Sequence, residues 1–335
     1  PLDLLRFRPL GLVDRLRLAA LAAWARRRGS DPRLDEVSAA EWIRGFAGER
    51  AYRTVWEPLL RAKLGSAAAD VPALWITSRL QREKNTARER KGVLRGGYRS
   101  LIDAIARRVR ALGGELRLST PVDAVELARG GVRIGTGGAA AEDFEFAVCT
   151  TPLPHFQGLS EGLPIDPRVR ERKLDYQGVV CGVLFLDRAI SPYYWTPFVD
   201  SGATAQGVVE MSNLMPLARS AGRHVNYFVN YCHRESELFQ SADDALLGRY
   251  RDDLASLYPN SGASVLEAHL FRAPFVEPMW TRGSLAARPP YEAIAGRLYS
   301  VSTSQLYPRV NSWNSCCELV EELMLGLPVS GASAP

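Results

Sequence analysis

The sequence predicts an α/β protein whose 335 residues form one large domain or two interleaved ones. Three observations support that fold class. Apolar residues recur at helical spacing through the opening part of the chain. Short stretches of alternating polarity follow from Leu116 to Val148, and strand and helix patterns then alternate toward the end. A chain of this length can bury a sizeable core without disulfides or metals.

The composition is that of a globular protein, with 46% hydrophobic and 24% charged residues. The net charge of +5 would suit an anionic ligand or an acidic surface, without specifying either. The five cysteines show no C-x-x-C spacing and the four histidines show no ligand spacing. We therefore expect reduced thiols, no metal site and a cytoplasmic protein. No apolar run approaches the ~18 residues of a membrane-spanning helix, and no signal peptide is visible.

The opening part of the chain is predicted to be helical. A first helix covers 12–28; it is basic and amphipathic and could contact a membrane surface, although packing on the core is the preferred interpretation. Ser38 and Glu41 should form a capping box for a second helix. Pro58 should kink a third helix, and Pro72 should begin a fourth. The predicted apolar stripe of the first helix consists of Leu12, Leu16, Ala19, Ala20 and Ala23.

The pattern changes after the glycine pair at 96–97. A helix should follow, with Leu101, Ile105, Val109 and Leu112 on one face. Strands are then predicted around 116–118, 122–125, 132–134 and 144–148, and the last of them ends at Thr150-Thr151-Pro152.

The rest of the chain mixes strands with helices. A buried strand is predicted at 178–186, a half-exposed strand at 225–231 and a helix from 243 to about 259. From 297 come a strand, a loop and a final helix, for which Ser315 and Glu318 should form a capping box. The tail at 328–335 is expected to be disordered.

The glycine-rich stretch at 135–140 fits G-x-G-x-x-A, a permitted form of the dinucleotide-binding fingerprint. That fingerprint joins a strand to a helix and is followed about 20 residues later by an acidic residue. Here Phe144, Phe146 and Val148 alternate as in a strand, and the later position has no acidic residue. We therefore predict a hairpin turn, the alternative being a degenerate phosphate loop.

A basic run near the end of the helical part raises the question of nucleic acid. Glu83 and Glu89 interrupt it and no aromatic residues are interleaved, so a solvated helix face is favoured and no nucleic-acid partner is expected. The run consists of Arg79, Arg82, Lys84, Arg88, Arg90 and Lys91.

The stretch at 92–155, "GVLRGGYRSLIDAIARRVRALGGELRLSTPVDAVE…FEFAVCTTPLP", resembles the middle of the superfamily of FAD-dependent amine oxidases, protoporphyrinogen oxidases and phytoene desaturases. "PLLRAKLG" at 58–65, "GVVCGVLFLDRAISPYYWTPFVD" at 178–200 and "GVVEMSNL" at 207–214 are similar to substrate-side segments of a bacterial branch near protoporphyrinogen oxidase and UDP-galactopyranose mutase. "RLYSVSTSQLYPRVNSWNSCCELVEE" resembles the closing FAD segment. The resemblance covers nearly the whole chain.

The resemblance implies an α+β substrate domain interleaved with a partial Rossmann-like FAD-binding domain, as in the p-hydroxybenzoate-hydroxylase and amine-oxidase architectures. The substrate domain would take a helical part at 1–95 and a mixed part at 156–290. The FAD domain would take 96–155 and 291–327.

One departure from the family pattern concerns the N-terminal end. Members open with a strand, G-x-G-x-x-G, a helix and an acidic residue, and the sequence lacks all of these. We therefore expect a segment on the order of a hundred residues to be missing upstream of Pro1.

The resemblance also implies site residues. Val122 would contact the adenine through its main chain, and Thr151 and Pro152 would lie at the nucleotide edge; the alternatives are an ordinary strand valine and a loop start. The last helix would face the flavin pyrophosphate, unless it is simply a capped helix, and Arg309 could instead be a solvated loop residue. Lys63 is the candidate for a charged substrate-side residue. The closing loop and helix would contribute Tyr307, Arg309, Ser312, Trp313, Asn314 and Ser315.

The function implied by the resemblance is hydride transfer from a C–N or C–C bond to N5 of FAD, with a small, hydrophobic or amphipathic substrate. Two alternatives stay open. The chain could be a catalytically incomplete fragment without its own FAD binding, or a flavoenzyme like UDP-galactopyranose mutase without net redox chemistry.

Overall fold

The computed structural model of the chain describes residues 7–82, 92–138, 140–199 and 201–327, so the predicted disordered tail lies outside the described residues. The chain divides into two compact units, each built from two separate segments. The first unit takes Pro1–Val93 and Asp175–Arg282, and the second unit takes Leu94–Leu174 and Gly283–Pro335. Residues 156–174, which we assigned to the substrate domain, therefore lie in the second unit. The assignment of FAD and substrate roles to the units stays a prediction.

The elements are numbered in chain order. The described helices are α1 (Leu12–Arg28), α2 (Ala39–Ala47), α3 (Glu49–Ala51), α4 (Glu57–Leu64), α5 (Ala73–Arg82), α6 (Gly97–Ala111), α7 (Leu153–Leu159), α8 (Pro167–Arg170), α9 (Glu237–Gln240), α10 (Asp243–Leu257) and α11 (Trp313–Met324). The described strands are β1 (Val122–Ala128), β2 (Gly131–Thr136), β3 (Glu142–Phe144), β4 (Ala147–Cys149), β5 (Tyr176–Leu186), β6 (Trp195–Pro197), β7 (Gly207–Glu210), β8 (His224–Cys232), β9 (Val265–Pro278), β10 (Glu292–Ile294) and β11 (Leu298–Ser300). None of the described helices is long and apolar enough to cross a membrane.

Helix α1 has the predicted bounds, but the predicted buried face is wrong. Leu12 and Leu16 are 61% and 55% exposed, whereas Leu18, Leu21 and Ala25 are buried. At 100° per residue the buried set lies on the opposite side of the helix from the predicted stripe. A helix rich in alanine and leucine offers two apolar stripes, and the position of its neighbours decides which one packs.

The structure corrects one local prediction in the helical part and adds a detail to a second. Ser38 stands at the N-cap of α2, but its hydroxyl donates to the carbonyl of Ala69 at 3.4 Å and makes no cap bond, so the capping box is wrong. Before Pro58 the chain makes a π-helical turn, in which the amide of Glu57 donates to the carbonyl of Tyr52. Pro58 has no N–H and cannot donate a helical hydrogen bond. The wider π-helical turn lies directly before it.

The first unit contains an antiparallel sheet in the order β6-β7-β8-β5-β9. Helix α10 packs on one face, where Phe228 and Tyr250 belong to the same buried cluster. The hydroxyl of Tyr250 donates to Oδ1 of Asn230 at 2.7 Å, which satisfies an amide that would otherwise be costly to bury. This bond accounts for the buried position of Asn230, although the asparagines of β8 read as the exposed side of the strand.

The second unit contains an antiparallel meander, β1-β2-β3, and a small sheet in the order β10-β11-β4. The predicted hairpin is confirmed, because β2 pairs with β3 in the register Ile134 with Glu142 and Val132 with Phe144. The glycine fingerprint therefore begins at the end of β2, and the turn that follows contains Gly138, whose positive φ of 102° favours glycine there.

Two other predictions for the second unit need correction. The stretch Leu116–Leu118 is not a strand, because none of the described strands pairs with it. The predicted strand at 144–148 is two strands: Phe144 ends β3, and β4 begins at Ala147 in the other sheet. Helix α6 forms as predicted, yet it buries none of its side chains against the described residues.

Candidate functional site

The second unit brings the ends of two parallel strands to one edge. Strands β4 and β11 pair in the register Ala147 with Leu298 and Cys149 with Ser300, and the amide of Val301 continues the ladder to the carbonyl of Cys149 at 3.0 Å. Because the strands run in parallel, the segments that follow them leave the sheet at the same side. Open α/β sheets bind ligands at this carboxyl edge.

A largely apolar cavity of about 260 Å³ lies where β4 ends. Val122 and Thr151 both line it, so the structure brings together two residues that are distant in sequence, and Pro152 follows directly. The hydroxyl of Thr151 lies 3.2 Å from Sγ of Cys149. The cavity is lined by Val122, Val125, Ile134, Ala147, Val148, Cys149, Thr150, Thr151, Phe156, Leu159, Ser160 and Leu298.

The last helix, α11, begins one turn earlier than predicted. Its N-cap is Ser312, whose Oγ accepts from the amide of Ser315 at 3.2 Å, while Oγ of Ser315 donates to the carbonyl of Val310 at 2.7 Å. The predicted capping box at Ser315 is therefore wrong. The amides of Trp313 and Asn314 are the first two of the helix, and such amides have no helical carbonyl to bond.

Arg309 is engaged by carboxylates of α11. Its Nε lies 3.4 Å from Oε2 of Glu318, and its Nη2 donates to Glu322. The hydroxyl of Tyr291 also donates to Glu322, at 2.6 Å. These two donors lower the pKa of Glu322, whereas burial and the neighbouring carboxylate raise the pKa of Tyr291 to about 12. Arg309 thus connects its loop to α11 through ion pairs. Binding of a phosphate by Arg309 stays a prediction.

The aromatic residues of the closing segment have different environments. Tyr307 is 1% exposed. Trp313 is 51% exposed, and its ring stacks on that of Tyr98 with centroids 5.7 Å apart and planes 3° from parallel. Sequence reasoning missed Tyr98 as a site residue, although the Gly-Gly-aromatic start was its signal. Gly96 and Gly97 have φ of 86° and 69°, a backbone that glycine adopts readily, and they place Tyr98 at the start of α6.

Lys63 lies in the first unit, in a charged cluster with residues that no sequence pattern connects to it. Its Nζ is 3.1 Å from Oε2 of Glu277 and 4.4 Å from the ring centre of Tyr231. Arg79 donates to the other carboxylate oxygen, although 198 residues separate it from Glu277. Burial would raise the pKa of Glu277, but the charges of Lys63 and Arg79 bring it below the usual value.

The sheet face that points away from α10 is half exposed, and we call it the open sheet face. Gly182 identifies the packed side, because a Cβ there would lie 2.4 Å from the ring of Tyr250. The alternate residues therefore point to the opposite side. On it, Phe185 and His269 make an edge-to-face contact at 6.1 Å. The open sheet face consists of Val179, Cys181, Val183, Phe185, Tyr227, Val229, Tyr231, His269 and Phe271.

Comparisons with solved structures show which known folds this chain resembles. The chain is similar to a candidate protoporphyrinogen oxidase from Exiguobacterium sp. 255-15, with 16% identity, a TM-score of 0.68 and coverage of 95% of this chain and 73% of that one. It is similar to putrescine oxidase bound to putrescine, with 13% identity, a TM-score of 0.66 and coverage of 95% and 76%. Reduced UDP-galactopyranose mutase matches with 12% identity, a TM-score of 0.55 and coverage of 75% and 57%.

Comparisons at the level of sequence give the family. No curated protein matches the chain. The sequence profile of flavin-containing amine oxidoreductases matches residues 3–309, which is most of the chain. The chain belongs to the family of flavin-containing amine oxidoreductases.

Proposed function

We propose that the chain acts in an FAD-dependent oxidoreductase that removes a hydride from a C–N or C–C bond of a hydrophobic or amphipathic small molecule in the cytoplasm. One observation carries the proposal. The apolar cavity at the carboxyl edge of β4 is lined by Val122, which resembles an adenine-contacting residue of FAD enzymes, and by Thr151, which resembles a residue at the edge of the nucleotide site.

The family implies a flavin cofactor, and the cavity fits the adenine end of FAD. Its walls are mainly aliphatic, which suits a flat heteroaromatic ring, and Thr150 and Thr151 are among its few polar lining residues. Val122 would hold the ring through its backbone on β1. Thr151 and Pro152 would limit the cavity where β4 ends.

The start of α11 fits the anionic part of FAD. The amides of Trp313 and Asn314 and the positive end of the helix dipole would hold an anionic oxygen, while Ser312 keeps the first turn in place. The stacked rings of Tyr98 and Trp313 would supply a flat aromatic surface beside these amides.

When bound, FAD supplies the hydride acceptor at N5. The residues of the chain would bind and orient; the cofactor carries the redox chemistry, so the proposal requires no catalytic triad. The open sheet face would receive the apolar body of the substrate, because its half-exposed aromatic and aliphatic side chains lose water on contact.

One alternative is a chain that is incomplete for FAD binding. Within the described residues the glycine fingerprint occurs only at 135–140, in a hairpin, so those residues provide no strand-to-helix phosphate loop. A flavoenzyme like UDP-galactopyranose mutase is the other alternative, supported by the structural similarity alone. Mixing the flavin-loaded protein with its substrate without oxygen distinguishes net oxidation from chemistry without net redox change. Only an enzyme that dehydrogenates its substrate leaves the flavin reduced and bleached.

The first testable prediction concerns Val122. We expect the purified chain to quench FAD fluorescence on titration, and Val122→Asp to weaken FAD binding at least about tenfold, because it puts a carboxylate into the apolar cavity. The matched control is Leu127→Asp, on the same strand and similarly exposed (40% against 42%) but outside the cavity.

Equal FAD affinity in the two variants would overturn the placement of the cofactor. If the chain binds no FAD, the same titration on the product of any longer reading frame decides between the alternatives. Binding there shows an incomplete piece, and no binding there rejects the flavoenzyme proposal.

A further inference from the structure

Helix α1 presents an apolar stripe to solvent. Its side chains Leu12, Val13 and Leu16 are each more than half exposed, and three exposed alanines continue the stripe toward the end of the helix. The opposite side of the same helix packs on the core of the first unit. We call this surface the α1 stripe; it consists of Leu12, Val13, Leu16, Ala19, Ala20 and Ala23.

The α1 stripe is one continuous surface. At 100° and 1.5 Å per residue, its six positions fall within an arc of about 120° and extend over about 16 Å of the helix. The core of the first unit does not use this surface, and the flavin and substrate sites proposed above do not include it. A contiguous exposed apolar surface that is bordered by polar residues is typical of an interaction site.

Arginines border the α1 stripe. On the helical projection Arg15 and Arg26 lie along one side of it and Arg17 along the other, while Arg27 and Arg28 stand at its C-terminal end. The last three of these arginines are exposed. Between residues 8 and 28 the sequence has six arginines and a single acidic residue. The surroundings of the stripe are therefore strongly positive.

The helices that pack against α1 leave this positive charge in place. Helix α2 adds one carboxylate, Glu41, and one arginine, Arg44, and α3 likewise adds Glu49 and Arg50. Glu49 is already paired with Arg44, at 3.0 Å. Helix α5, the remaining neighbour, carries arginines and no carboxylate. The charge therefore favours an anionic partner on this side of the first unit.

Aromatic rings lie next to the stripe. Trp24 follows Ala20 by one turn of α1, and its ring centre is 5.7 Å from that of Trp42 and 5.9 Å from that of Phe46. All three side chains are only partly buried. Indole rings, with an apolar body and a polar N–H, are enriched where hydrocarbon meets water at a membrane surface.

We infer that α1 docks on an anionic lipid surface, with the α1 stripe among the upper acyl chains and its arginines against the headgroups. A helix with an apolar face between basic residues lies in the plane of such a surface, and its affinity grows with apolar area and with anionic lipid. A second copy of the chain fits less well, because a two-fold contact would bring the same arginines against one another.

The first test compares binding of the full chain to two kinds of vesicle, pure phosphatidylcholine and phosphatidylcholine with about 30% phosphatidylserine. We expect the chain to float with the anionic vesicles at least about tenfold more tightly than with the neutral ones. Raising the salt from about 0.1 M to about 0.5 M should weaken this binding, because salt screens the arginines. Neither flavin nor substrate is needed.

The apolar contribution is tested with Leu16→Glu, which should weaken binding to the anionic vesicles at least about tenfold, because it puts a carboxylate on the inserted face. The matched control is Leu266→Glu on β9 of the same unit, since Leu266 and Leu16 are 56% and 55% exposed. The control should bind as the wild type does.

The charge contribution is tested with the double variant Arg26→Gln/Arg27→Gln, which should lose most of the preference for anionic vesicles. Its matched control removes the same charge at two exposed arginines of α10, Arg249→Gln/Arg251→Gln, and should keep the preference. Thermal unfolding shows that each variant is folded, and the arginine variant keeps the test valid if Leu16→Glu is not.

Three outcomes would overturn the inference. The wild-type chain could fail to bind anionic vesicles, or each variant could bind them exactly as its control does. The third is self-association that Leu16→Glu abolishes, without any vesicle binding, which would assign the α1 stripe to a second copy of the chain.

Discussion

At the scale of single residues, Glu277 connects distant parts of the first unit. It accepts from Lys63 and Arg79, which come from helices α4 and α5, and both lie far from it in sequence. From the sequence alone, Lys63 and Arg79 would each be interpreted as a solvated residue on a helix. The carboxylate on β9 makes them a cluster, so one residue connects two helices to the sheet.

We predict that Glu277→Gln destabilises the chain by about 2–4 kcal/mol at pH 7, because two cations lose their shared counter-charge while Lys63 stays partly solvated. The folded-state pKa of Glu277 is lowered, so its contribution exists above its ordinary pKa and is lost as the pH falls through the lowered value. Urea unfolding should therefore show a constant difference from the wild type between about pH 5.5 and 7.5, shrinking below about pH 4.

A difference that stays the same down to pH 3 would show that the amide acts through packing and not through charge. The control is Glu235→Gln, at an exposed carboxylate of the same unit whose described partners are His233 and Arg234; its effect should stay within about 0.5 kcal/mol.

At the scale of elements, α11 shows how a short cap decides where a helix begins. Ser312 and Ser315 could each cap the helix. In the sequence, the capping-box spacing between Ser315 and Glu318 favours Ser315. The structure uses Ser312, because Ser315 donates to Val310 and Glu318 is taken by Asn314 and Arg309. The helix thus exposes its first amides one turn earlier.

We predict that Ser312→Ala costs about 1 kcal/mol of unfolding free energy, as expected for loss of a side-chain cap. Ser38→Ala is the matched control, since Ser38 is an N-cap residue without a cap bond, and it should cost only a few tenths of a kcal/mol. Denaturant unfolding measures both. Equal losses would mean that the hydroxyl of Ser312 does not cap α11.

Elements were predictable where the signal is local. The period of α1 and the alternation around the hairpin at 131–144 specify their conformation within a few residues. The buried side of α1 and the loop at 116–118 were not predictable, because both depend on neighbours that come from distant parts of the chain. The division of 144–148 between two sheets has the same cause.

At the scale of the whole molecule, both units are built from two separate parts of the chain. The family is recognisable from an ordered set of motifs although the identities to solved relatives are only 12–16%. Val122 and Thr151 could be named from that resemblance, and the structure places both on one cavity. Glu277 could not, because its partners Lys63 and Arg79 lie far from it in sequence. Tyr98 was missed although a Gly-Gly-aromatic pattern precedes α6, because its partner Trp313 is equally distant.

We predict that FAD protects backbone amides in the second unit more than in the first. An FAD concentration of 100 times Kd stabilises the FAD-bound folded state by about 2.7 kcal/mol. Backbone hydrogen exchange should slow most where the cofactor is bound. Hydrogen exchange with mass spectrometry should show the strongest protection at 147–160 and 312–318. Protection confined to 176–186 and 224–232 would contradict the proposed location.

The position of Cys181 gives the open sheet face a built-in reporter. Burial raises the pKa of this thiol to about 11, so roughly one molecule in a thousand carries the reactive thiolate at pH 8. Alkylation at this residue is therefore slow, and any ligand that covers the face should slow it further. The modification rate of one cysteine, read by peptide mass, thus measures occupancy of the proposed substrate surface without a known substrate and without a bound flavin.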